Sequence, residues 1–247
     1  MSSNTQTPSE TMIIEEIGVD CYSTHHVRNG QPIYGQRFLK VLKYHPPGLA
    51  AVRDASGCYH IWTDGNSAYK SRFAETFGFY EGLAAVQDAS GWFHISVEGN
   101  AVYSDRYSWV GNFQNGRVPV RDFGGHYFHL DPGGGRVYAE SYVYTGDYRE
   151  GIACVRKMDG LCIHIDLAGK QIHQTACLDL DVFHKGFSRA RDDDGWFHMR
   201  RDGTPAYKER FAEVEPFYNG QALCRDWIGR RLIVNENGDI IHVVWEA

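Results

Sequence analysis

Six histidines recur at one position of this 247-residue chain: His25, His60, His94, His129, His164 and His198, each followed five residues later by a glycine. Successive members are 34 or 35 residues apart, and Ile233 takes the seventh place. Neutral imidazole ligates divalent metals and also hydrogen-bonds. Converging copies would suit a shared ion; dispersed, buried copies would each bond a backbone or side-chain group of the next strand. Each histidine after His25 lies between apolar neighbours, as His94 does between Phe93 and Ile95. Burial is therefore the expectation, with hydrogen bonds made, because an unpaired buried imidazole would cost about 1–3 kcal/mol. No cofactor or metal site is expected, and a divalent metal is the alternative.

A second series carries guanidinium groups. Arg53, Arg121, Arg156, Arg191 and Arg225 share one repeat position, with Gln87 and Gly18 in the remaining copies. Aspartate follows at Asp54, Asp88, Asp122, Asp192 and Asp226, and Lys157 in the other copy. Arg117 and Arg189 precede members of the series by four and two residues, on the same strand face. Guanidinium forks suit carboxylates and phosphates. These seven arginines, with the six histidines, form the candidate ligand site, a basic collar for an anionic small molecule or a protein partner; ion pairs between neighbouring units are the architectural alternative. The copies disagree most in the fifth full repeat, where Ala176–Asp181 replaces an Arg-Phe strand and His184-Lys185 precedes the strand-opening glycine. If that strand were innermost, Glu75, Asp179, Asp181, Glu213 and Glu215 would form an acidic pocket beside Trp109 and Tyr144. The run Asp192-Asp193-Asp194 fits a turn, because it lacks the spaced ligands of a calcium loop.

The elements that must position these groups are short strands. From Arg72 the unit reads Arg-Phe, a mixed stretch to Phe79, Gly82, the small-residue run Leu83–Val86, a turn at Ala89-Ser90-Gly91, Trp92–Ile95, a turn ending at Gly99-Asn100, and Ala101–Tyr103. Glycines at each turn supply positive φ, and no segment holds a helical period. The fold class is all-β, with four-stranded repeats of 34–35 residues. Closure of seven units into a β-propeller removes exposed edges and is expected for residues 12–247, following a polar tail at 1–11; six blades, or a linear solenoid, are the alternatives. Met12–Ile17 is expected to be the first small-residue strand. That strand is expected innermost, with the Arg-Phe strand outermost; the reverse phase stays open.

The stretches Trp92-Phe93-His94-Ile95 and Trp196-Phe197-His198-Met199, with looser copies at Tyr59–Ile61, Phe128–Leu130 and Ile163–Ile165, resemble the WG-repeat (KWG-type) family of bacterial proteins over nearly the whole chain. Here an apolar residue and histidine replace that family's glycine and tyrosine. The resemblance implies a structural unit used in binding or interaction, and no catalytic residue transfers from it.

A net charge of -6 argues against a nucleic-acid binder. No apolar run is long enough to cross a membrane, and the opening residues lack a signal peptide's pattern. Six cysteines without a CxxC pair read as reduced core thiols, Cys154 and Cys162 facing across one hairpin, so a cytoplasmic location is expected. No nucleophile elbow, phosphate loop or zinc motif is present. An enzyme with its site assembled at a channel mouth from several blades remains the second reading.

Overall fold

The computed structural model describes residues 14–245; the expected tail at 1–11 lies outside them, as do Met12 and Ile13. The chain is all-β and divides into two compact units. The first runs to Gly125 and includes Leu130–Gly135; the second holds His126–His129 and everything from Arg136 onward.

In the first unit, β1 (Gly18–Val19), β2 (His26–Arg28) and β3 (Gln31–Pro32) form one antiparallel sheet. The next joins β4 (Lys40–His45), β5 (Leu49–Asp54) and β6 (Gly57–Ile61), and a third joins β7 (Glu75–Tyr80), β8 (Leu83–Asp88) and β9 (Gly91–Ile95). The pair β10 (Trp109–Val110) and β11 (Val118–Arg121) follows. After β12 (Tyr127–Leu130), the second unit contains the sheets β13 (Tyr144–Thr145), β14 (Ile152–Arg156), β15 (Cys162–Asp166) and β16 (Asp179–Leu180), β17 (Phe187–Asp192), β18 (Gly195–Arg200). Its last sheet has four strands, β19 (Glu213–Val214), β20 (Gln221–Arg225), β21 (Arg231–Asn235) and β22 (Ile240–Trp245).

Three expectations are corrected. The small-residue strand is the middle strand of its sheet in β5, β8, β14, β17 and β20, so it cannot be innermost. Leu49–Val52 are buried without alternation because both faces of β5 are covered. Second, the Arg-Phe segment is split. Ser67 and Phe73 bridge back to Ile61 and Cys58, and Glu75 then opens the first strand of the following sheet. Six residues on this segment span three on its partner, so it arches away, and the fourth strand survives only as two bridges. Among the described residues the first sheet keeps it as the two-residue β3 and the last sheet completes it as β22. Third, the strand expected at Met12–Ile17 is displaced to Gly18–Val19, because Ile17 N closes a turn on Ile14 O at 3.1 Å.

First and middle strands join through two-residue turns whose central residues both have positive φ, as at Glu81-Gly82 and Asn115-Gly116, the signature of a type I′ hairpin. The turn after the third strand needs glycine for a further reason. At Gly99 φ is +80°, and an added Cβ would stand 2.5 Å from the Tyr69 ring of the preceding repeat. At Gly116 φ is +68°, with nothing within 4 Å. Gly99→Ala should therefore lose about 2–5 kcal/mol, the sum of left-handed strain and overpacking, whereas Gly116→Ala should lose about 1–2. Denaturant titration of both variants checks the difference; equal losses would contradict the ring contact.

Candidate functional site

The recurrent histidine is at the centre of each repeat's packing. His60, His94, His129, His164 and His198 are 0 or 1% exposed, and in the first sheet the place belongs to His26. His25 is corrected out of the series: its ring meets Thr24 Oγ1 at 3.1 Å and lies 3.4 Å from Asp20. From each buried ring, Nε2 reaches a carbonyl of the following repeat: Leu42 at 2.8 Å, Phe77 at 2.7, Gly111 at 3.0, Gly146 at 2.9, Asp181 at 2.7 and Glu215 at 2.8. The ladder slips at these places. The β4–β5 register shifts between Val41 and Tyr44, and the β7–β8 register between Thr76 and Phe79, so bulges leave the Leu42 and Phe77 carbonyls to the imidazoles. Nδ1 meets the hydroxyl of Tyr34, Tyr69, Tyr103, Tyr138 or Tyr207 at 2.5–2.6 Å. In one repeat His173 replaces that tyrosine, with Nε2 2.9 Å from His164 Nδ1. An aromatic ring of the following repeat packs against each imidazole, at 3.9–4.8 Å between centroids.

A carbonyl only accepts, so each Nε2 carries the proton and each Nδ1 accepts, from the tyrosine O–H or, at His164, from His173 Nε2–H. Burial holds His60, His94, His164 and His198 down to about 4, against the opposing pull of the carbonyl bond. Burial likewise pushes the Tyr34 hydroxyl up to about 12. Both nitrogens of these rings are committed to the protein. Among the described residues no group of three His, Cys, Asp or Glu side chains could hold a metal ion.

The arginines occupy a different row. Across each sheet the register aligns Lys40–Arg53–Cys58, Glu75–Gln87–Trp92, Trp109–Arg121, Tyr144–Arg156–Cys162, Asp179–Arg191–Trp196 and Glu213–Arg225–Arg231. The basic collar and the acidic pocket, alternatives in the sequence, are thus neighbours in one row. Carboxylates partner most of the guanidinium groups. Arg53 pairs with Glu75 of the next sheet and donates to Ala74 O at 2.8 Å. Arg156 lies 3.5 Å from Asp179 and donates to Leu178 O at 3.1 Å. Arg225 donates to Glu213 at 3.0 Å. Exposed pairs of this kind contribute about 0–1 kcal/mol each and cancel the collar's charge. Arg117 does not join the row: it follows the Asn115-Gly116 turn, four residues of extended chain from Arg121, and donates to Gly116 O.

The fifth full repeat departs from the others. Arg189 lies opposite His198, where Ala51, Ala85 and Cys154 stand opposite theirs. Its Nε donates to Asp181 at 2.6 Å and its Nη1 to Val214 O at 3.2 Å. The Arg191 side chain is exposed and its guanidinium forms no hydrogen bond or ion pair among the described residues. Both guanidinium groups lie over the half-buried Trp196 ring, at 5.9 and 5.8 Å. At the equivalent position of their own sheets Trp109 is 40% and Tyr144 52% exposed.

Two sets of residues escaped the sequence reading. The tyrosines nine residues after His60, His94, His129 and His198 were visible as a spacing. A second arginine set was not so regular: Arg72, Arg106, Arg136 and Arg210 stack on Tyr59, Phe93, Phe128 and Phe197 at 3.5–4.1 Å and tie down the arched segments. Arg136 enters from a different chain position and bonds Tyr138 O, Ala139 O and Glu140 O.

No family model matches the chain, and no curated protein matches it. Among solved structures it is similar to a eukaryotic initiation factor, with TM-score 0.56, 11% identity, and 94% of this chain and 73% of that one covered. It is also similar to BamB from Moraxella catarrhalis (TM-score 0.48, 13% identity, 90% and 76% covered) and to the computationally designed Ika8 protein (0.47, 10%, 92% and 82%). At these identities the likeness to the initiation factor is one of fold alone, and it supports a propeller-like repeat fold of antiparallel sheets.

The buried rings make stability depend on pH. Unfolded imidazoles bind protons near 6.5 and these folded ones near 4, so between those values the unfolded chain holds more protons and stability falls as the pH is lowered. The contribution is intact above 6.5 and lost progressively toward 4, at about 3 kcal/mol per histidine. Four such groups rival the whole stability of an ordinary domain, about 5–15 kcal/mol. Acid titration followed by tryptophan fluorescence should show cooperative unfolding inside that window; a native spectrum persisting at its lower end would contradict the assignment.

Proposed function

We propose that this chain is a binding module of the WG-repeat kind, its copies arranged as seven blades, and that the Asp179–Arg191–Trp196 row engages a protein partner. The observation that carries the reading is Arg191, a guanidinium with no protein partner beside an aromatic ring, in the repeat that departs most from its siblings. Arginine and tryptophan are prominent in the energetics of protein interfaces, and this row offers both. A small anion fits the row less well, because Glu75, Asp179, Asp181 and Glu213 neutralise the neighbouring arginines. Chemistry at the histidines fits less well again, since their ring nitrogens are occupied. The free thiols, five of them buried, suit a reducing compartment, and a cytoplasmic location is part of the proposal. No helix among the described residues is long and apolar enough to cross a membrane.

Arg191 and Arg189 separate recognition from architecture. Arg191→Ala removes no internal bond and should leave the melting temperature unchanged. Arg189→Ala strands Asp181 and should lower it. Affinity purification from the native cells with wild type, Arg191→Ala and Trp196→Ala tests the reading. The expected outcome is a partner recovered by wild type and reduced at least about tenfold by either variant, more so at high salt. Equal recovery by all three would overturn the site.

A further inference from the structure

A surplus of positive charge in the second unit gathers at the opposite end of the same sheet. Phe187 pairs with Arg200 at one end of β17–β18, and Asp192 with Gly195 at the other, so the His184-Lys185 hairpin and the Arg200-Arg201 turn share the end remote from Arg191. There Arg149 Nη2 donates to His184 Nδ1 at 3.2 Å. Arg201 lies 3.5 Å from Glu150 and 5.7 Å over Phe183, and Arg200 lies 5.5 Å over Phe187. The Lys185 ammonium is 5.4 Å from the ring of Tyr218, which is 59% exposed. These four cations meet two carboxylates, Glu150 and Asp202, and Asp202 is engaged by Thr204. The surplus is positive on a chain whose net charge is -6.

Lys185 stands at φ 50°, in the turn position that Asn115 and Asn219 fill elsewhere. In the first unit Glu81 at this place accepts from Asn115 N and Gly116 N at 2.7 and 2.8 Å. No such bond is formed by Lys185, which brings a mobile cation to a left-handed position that disfavours it. Three separate hairpins thus present cations at this end of the sheet, each beside a ring of its own: Arg149 at His184, Lys185 at Tyr218, and Arg200 and Arg201 at Phe187 and Phe183.

We propose that this surface is an anion site whose ligand is the phosphate group of a small phosphorylated molecule. A planar carboxylate is satisfied by a single fork, whereas a tetrahedral dianion with oxygens in several directions is matched by donors arriving from several hairpins. Calorimetric titration of the full chain with inorganic pyrophosphate tests the site. Saturable one-to-one binding is expected, weakened at least about tenfold by Arg149→Ala and by Lys185→Asn, the latter suited to the turn's φ, and unchanged by Arg225→Ala at the remote end. Absence of saturable binding, indifference to Arg149→Ala and Lys185→Asn, or an equal loss with Arg225→Ala would each overturn it. Sedimentation with vesicles containing phosphatidic acid separates the source of the phosphate. No co-sedimentation is expected, and co-sedimentation that pyrophosphate fails to compete would overturn the small-molecule assignment. The Arg191 row takes no part in these outcomes, so failure here leaves the partner-binding reading standing.

Discussion

One hydrogen bond organises this molecule: a buried imidazole N–H given to a backbone carbonyl of the next repeat. Sheets packed face to face hold together by apolar contact, which is strong but without direction. The imidazole adds direction. Its Nε2 position is set by the carbonyl it reaches, its Nδ1 position by a tyrosine hydroxyl, and its plane by the aromatic ring laid against it. Leaving any of these polar atoms unpaired in the core would cost about 1–3 kcal/mol, so each repeat is locked to its successor in one register.

Other features of the repeat follow from making room for that bond. The first strand breaks its ladder so that a carbonyl is freed to accept. The middle strand carries Ala51, Ala85 and Cys154 opposite the histidines, and in one repeat Arg189 takes that place with its guanidinium turned to Asp181. The turn glycines at Gly65, Gly99, Gly134, Gly169 and Gly238 leave space for the tyrosine of the preceding repeat, and Gly203 does so for His173. His173 is the variant link: its Nδ1 is buried without a hydrogen-bond partner, a cost the tyrosine-bearing repeats avoid.

The periodicity was legible because a polar side chain locked into the core must recur with the unit it locks. Strand order was not. A strand covered on both faces has no alternation, so Leu49–Val52 reads alike at an edge or in the middle of a sheet. The split of the Arg-Phe segment was hidden for a related reason, since Phe73 and Glu75 belong to different sheets although one residue separates them. His25 was mistaken for His26 because the first turn is one residue shorter between imidazole and glycine. The arginine series was found, but its balance with carboxylates depends on side-chain reach across sheets, as between Arg53 and Glu75. The contrast between Arg189, saturated by Asp181 and Val214 O, and Arg191, bonded to nothing, has no sequence signature at all.

Because the histidines serve the architecture, residues at the rims of the sheets can vary from repeat to repeat without disturbing the lock. The central claim concerns proton position, and nitrogen-15 NMR of the imidazole rings tests it directly. Six rings should appear as the neutral Nε2–H tautomer, with chemical shifts constant from neutral pH down to the onset of unfolding. Rings in the Nδ1–H form, or rings that titrate near 6.5 in the folded chain, would contradict the account.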